Sequence, residues 1–117
     1  MTTLFIHHRA PHSGSHTQES LDALLVLAAF GQNPSLLFQG DGVWQLLGKQ
    51  QATAFGYPSL SAQLQSLPLY EVENIYVEAE SLQARQLTAE QLALPVKVLT
   101  RAELAAFMAQ YQHTIRL

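Results

Sequence analysis

The sequence predicts an α/β fold, a mainly parallel sheet of about five strands with helices on both faces. Three observations predict it. Short apolar runs recur along the chain: Leu4-Phe5-Ile6, Leu36-Leu37-Phe38, Ile75-Tyr76-Val77 and Val96-Lys97-Val98-Leu99. Stretches with apolar residues at helical spacing lie between them. Alternating strand and helix signals imply parallel strands joined by helical crossovers. No repeat, low-complexity tract or composition break divides the 117 residues, so one domain spanning 1–117 is expected.

Leu4-Phe5-Ile6 is the first strand, and His7 to His16 is a polar, His-rich connection holding Pro11 and Gly14. Ser15 with Gln18 forms a capping-box signature for the first helix. Leu21, Leu24, Leu25, Ala28 and Ala29 make one face of that helix, while Val26, Leu27 and Phe30 lie off it. A helix apolar nearly all round is buried on more than one side, and the second side is assigned here to another subunit. Gly31 and Pro34 end the helix.

The organising stretch is Ser35 to Leu47, read as a buried strand, a tight turn at Gly40-Asp41-Gly42 and the first turn of a helix carrying Val43, Trp44, Leu46 and Leu47. Gly48 to Pro58 is loop-like, and Leu60, Leu64 and Leu67 form a helix stripe stopped by Pro68. Ile75-Tyr76-Val77 is the third strand, followed by a short helix over Ser81 to Arg85. Thr88 with Gln91 is a second capping-box signature. Val96 to Leu99 is the fourth strand, Thr100 with Glu103 caps the last helix, and Thr114 to Leu117 is the last strand.

Charged residues make up only 13% of the chain, against about 25% in ordinary soluble domains, which argues for surface covered by other chains. A net charge of −3 with no basic stripe argues against direct nucleic-acid binding. The chain has no cysteine, which excludes thiol catalysis, disulfides and cysteine-ligated metal. Neither a signal peptide nor a membrane span is expected, and the reading is a soluble, cytoplasmic protein.

Candidate chemistry concentrates in a few places. His7, His8, His12 and His16 crowd into ten residues, and a polar loop bonded to its own backbone is preferred to a zinc site because no catalytic-metal motif accompanies them. Gly40-Asp41-Gly42 opens like a dinucleotide fingerprint but continues with Gln45 in place of glycine, so a turn with a capping Asp41 is the better account. Asp22 stands among apolar residues of the first helix and needs a partner if buried. Glu78 and Glu80 follow the third strand and share the edge of Asp41, a placement common for surface carboxylates. Trp44, Phe55 and Tyr57 are the interface candidates, and Tyr76 is assigned to the core. The residue reading therefore expects no cofactor and no metal. A pocket or interface is assigned to His12, Asp22, Asp41, Gly42, Trp44, Phe55 and Tyr57.

Three segments carry a resemblance. Ala10-Pro11-His12 stands a short loop ahead of Leu21-Asp22-Ala23-Leu24-Leu25, Asp41-Gly42-Val43-Trp44-Gln45-Leu46-Leu47 follows the second strand, and Leu69-Tyr70-Glu71-Val72-Glu73-Asn74 leads into the third, with Ser81-Leu82 behind it. In this order and spacing the whole chain resembles the TusC/DsrF family of small sulfur-relay proteins, within the wider DsrE-like group. The resemblance implies a three-layer α/β/α sandwich. It also implies a heterohexamer with two copies each of TusB-like, TusC-like and TusD-like subunits, passing persulfide sulfur to a downstream acceptor for 2-thiouridine at the tRNA wobble position. The relay cysteine belongs to the D-type subunit, and the C-type subunit is a structural partner. Alternatives are a DsrF-like role in a DsrEFH complex of sulfur oxidation, a small-ligand-binding α/β domain and a self-associating protein.

Overall fold

β1 (Thr3–His7) and β2 (Ser35–Phe38) are buried along their whole length, as strands covered on both faces must be. The computed structural model describes residues 3–8, 16–31, 33–46, 67, 72, 74–92 and 95–116, with the backbone alone for 16–21. β3 (Ile75–Glu78), β4 (Lys97–Leu99) and β5 (His113–Arg116) complete a five-stranded sheet in the order β4-β3-β2-β1-β5. Every pairing is parallel, with Phe5 opposite both Leu36 and Ile115, and Val77 opposite both Phe38 and Val98. The edge strands β4 and β5 are largely exposed and carry Lys97, His113, Thr114 and Arg116, which suits strands solvated along one side.

From β1 to β4 the chain steps across the sheet in one direction, and the last connection returns to the far side of β1. Right-handed crossovers then place the earlier helices on one face and the last helix on the other. Packing follows that rule. α1 (His16–Ala29) and α2 (Ala79–Ala84) supply Leu24 and Leu82 to a core with Phe5, Leu36, Phe38, Ile75 and Val77. α3 (Arg101–Ala109) supplies Leu104 and Phe107 to a second core with Leu4, Ile6 and Leu37. The molecule is thus a three-layer α/β/α sandwich. Each fully buried side chain of this size contributes roughly 1.5–3 kcal/mol of transfer free energy.

Helix ends follow the sequence signals. Gly31 stops α1 at φ +77°, with its N–H on the Ala28 carbonyl at 3.1 Å. Thr100 donates its N–H and its hydroxyl to the Glu103 carboxylate at 2.9 and 2.8 Å, and Thr88 donates its N–H to the Gln91 side chain at 2.8 Å. The two Thr100 bonds hold the Glu103 carboxyl below its usual value.

Several local features differ from the sequence reading. Gly40–Leu46 is a 3-10 helix, tighter than the α-helical turn expected: the Gly42 N–H closes on the Gln39 carbonyl three residues back at 2.9 Å, and Val43 and Leu46 reach the core beside β2. α2 begins at Ala79, directly after β3, and β5 starts one residue early, at His113. Tyr76 is half-buried, packed on the Phe107 ring at 4.5 Å and under the Lys97 ammonium at 5.5 Å. The inward face of α1 includes Leu27, while Ala29 is exposed. Val26 and Phe30 are 55% and 79% exposed, which leaves an apolar outer side on the helix. The Gly48–Pro58 loop and, apart from buried Leu67, the expected helix from Ser59 lie outside the described residues.

Candidate functional site

Parallel strands bring all their carboxyl ends to one edge, and open α/β sheets build their sites there. Gln39 follows β2, Glu78 ends β3, Arg101 opens α3 just beyond β4, and Arg116 ends β5. Register puts Tyr76 and Glu78 on the α3 side of the sheet, so Glu78 faces the start of α3.

The Glu78 side chain is 6% exposed, and a carboxylate that deep needs partners. Arg101 donates to it through Nη2 at 3.1 Å and Nε at 3.4 Å, Gln39 donates through Nε2 at 3.3 Å, and the Ser81 hydroxyl donates as well. Burial pushes its pKa up. The bonds from Arg101 and Ser81, the Arg101 charge and the Gln39 bond outweigh that push and hold the carboxyl below its ordinary value. Ser81 Oγ in turn accepts the Gly40 N–H at 2.9 Å. Arg85 bonds the Ser81 carbonyl at 3.1 Å and pairs with Asp41 at 2.9 Å. Glu80 accepts the Arg101 N–H at 2.8 Å, and Arg116 donates to the Gln39 side-chain oxygen at 3.3 Å.

A second polar pair lies on the opposite face. His7 closes β1, is 1% exposed, and holds Nδ1 at 3.0 Å from Gln45 Oε1. A carbonyl oxygen only accepts, so Nδ1 carries the proton. The ring meets Phe38 edge-on at 5.4 Å between centroids. Burial pushes the His7 pKa down to about 4; the Gln45 bond opposes that shift and the charge of His8 adds to it.

These groups hold shape. Glu78 is ionised with both oxygens engaged, Ser81 both donates and accepts, and His7 is neutral inside the core. Among the described residues no cluster of three His, Cys, Asp or Glu is placed to hold a metal. Among the same residues no helix is long and apolar enough to cross a membrane.

Of the residues singled out from sequence, Asp41, Gly42 and Trp44 come together in the 3-10 helix: Asp41 exposed, Gly42 buried and Trp44 half-buried. Asp22 is exposed on α1 and not buried among apolar neighbours. His12, Phe55 and Tyr57 lie outside the described residues. Glu78 and Glu80 do share the edge of Asp41, but Glu78 is a buried junction and not a surface carboxylate. Sequence reasoning also put His7 in the polar loop. Alternation from Phe5 in β1 points His7 to the α1 side and was the available signal for its burial.

The fold and this edge define an all-parallel α/β domain whose strand ends are tied by internal hydrogen bonds. The DsrE/DsrF-like family model matches residues 1–117. A TusC homolog of Pseudomonas aeruginosa is 38% identical over 114 residues, 97% of this chain and 96% of that protein. A TusC homolog of Vibrio vulnificus is 39% identical over 100 residues, 86% of this chain and 85% of that one. The intracellular sulfur oxidation protein DsrF of Allochromatium vinosum is 37% identical over 89 residues, 76% of this chain and 65% of that protein. The crystal structure of the ychN protein from E. coli superposes with a TM-score of 0.81 over all of both chains at 18% identity, a likeness of fold. The chain belongs to the DsrE/DsrF-like family, and the expected resemblance to TusC and DsrF is borne out.

Proposed function

We propose that this chain is a non-catalytic structural subunit of a sulfur-relay assembly, holding a cysteine-bearing neighbour in its working position. One observation carries the reading: a chain 38–39% identical to TusC homologs contains no cysteine. A persulfide needs a thiol to form on, so the sulfur must travel on a partner. The internally bonded strand-end edge supports the same view, because Glu78 and Ser81 are committed to neighbours within the chain.

In this reading the partners are TusB-like and TusD-like subunits, two copies of each chain in the hexamer. The assembly works in the cytoplasm and delivers sulfur for 2-thiouridine at the tRNA wobble position. The Asp41–Trp44 corner, Asp22 with the outer side of α1, and the segments holding His12, Phe55 and Tyr57 make the contacts, and the chain works as a single domain with no cofactor. Loading the assembly with a persulfide donor, followed by intact-mass spectrometry of each chain, tests it. A mass gain of sulfur on a partner alone fits, and a gain on this chain contradicts it. A second reading, a DsrF-like subunit in sulfur oxidation, is favoured by the 37% identity to DsrF, close to that of the TusC homologs. Transfer of sulfur to tRNA separates the two.

A further inference from the structure

The Glu78 carboxylate joins three elements at this edge. It receives Arg101 from the start of α3, Gln39 from the end of β2 and Ser81 from α2. Through Ser81 it reaches the Gly40 N–H at the start of the 3-10 helix, and through Gln39 it reaches Arg116 at the end of β5. All of these elements end or begin at the same edge, where the strand pairs end and the Gln39 N–H to His7 carbonyl bond carries the β1–β2 backbone contact one residue further.

We infer that Glu78 is a positioning residue that makes the strand-end edge open and close as one cooperative unit. The charge supplies the reason. An ionised carboxylate accepts from every partner at once, whereas a neutral amide in its place presents an NH2 group to donors. Glu78→Gln therefore sets one donor against another at the junction and leaves one acceptor oxygen where the donors had two.

Amide hydrogen exchange of the full chain, read residue by residue, tests this. In Glu78→Gln, exchange is expected to speed up by roughly tenfold or more at 40–46, 101–103 and 113–116 together, while 24–28 of α1 and 36–38 of β2 stay near wild type. Faster exchange confined to 79–84, or an equal rise everywhere, overturns the inference. Ser81→Ala keeps the charge pair and provides the decision should Glu78→Gln not fold. It is expected to loosen 40–46 while leaving 101–103 and 113–116 unchanged. A rise at all three segments in that variant contradicts a junction centred on Glu78.

Discussion

Gly42 is pressed against the backbone of His7: a β-carbon at Gly42 would lie 2.0 Å from the His7 carbonyl oxygen and 2.7 Å from its carbon. The same carbonyl accepts the Gln39 N–H at 3.0 Å, and Gly42 N–H bonds back to the Gln39 carbonyl at 2.9 Å. The end of β1 and the 3-10 helix are thereby locked backbone to backbone. Because a backbone cannot step aside as a side chain can, Gly42→Ala is expected to destabilise the fold by roughly 3 kcal/mol or more. Thermal melting checks this, with a drop of about 10 °C expected. Gly40, at φ +52° with only the His8 carbonyl nearby at 3.7 Å, is held to glycine by its backbone conformation instead.

Acid should unfold the protein through His7. Its folded pKa of about 4 lies below the unfolded value of 6.5, so its contribution is fully present above pH 6.5 and is lost as pH falls toward 4. The slope over that window is about 1.4 kcal/mol per pH unit, and the whole loss is roughly 3 kcal/mol. Glu78, also lowered, adds to the loss only below its ordinary carboxylate range. Denaturant melts between pH 7 and pH 4 measure the slope, and His7→Gln should flatten it even if that variant is less stable at pH 7.

Tyr111 ties the far end of the sheet, donating its hydroxyl to Ser35 Oγ at 2.7 Å while its ring meets Phe107 at 5.2 Å. Burial pushes its pKa up. Tyr111→Phe keeps the ring and loses the bond, so a stability loss of about 1 kcal/mol is expected from chemical denaturation.

Val26 and Phe30 contribute little to the chain alone because they are mostly exposed. Val26→Ser with Phe30→Ser should change monomer stability by no more than about 0.5 kcal/mol. If α1 meets a partner, the same pair should weaken assembly by tenfold or more, read by titration against the partner chains.

The strands and their order of appearance were legible because apolar runs and helical stripes alternate so regularly. The capping boxes at Thr88 and Thr100 and the Gly31 stop were also legible, since each rests on chemistry within a few residues, while the Ser15–Gln18 signature lies outside the described residues. The 3-10 geometry after Gly40 was not, because Val43 and Leu46 satisfy helical spacing in either form. Glu78 and Arg101 are 23 residues apart, and Gln39 and Glu78 are 39 apart, so their meeting depends on strand order and register that local patterns do not encode. Asp41 was read as a cap, yet its described partner is Arg85, 44 residues on. Its place at the strand-end corner was visible, and its partner was not.

The most direct test of the central claim is co-expression with TusB-like and TusD-like chains, followed by size-exclusion chromatography with light scattering. The account predicts one stable species containing all three chains, with the relay thiol on a partner. A monomer or a pure homo-oligomer of this chain, eluting apart from the other two, would contradict it.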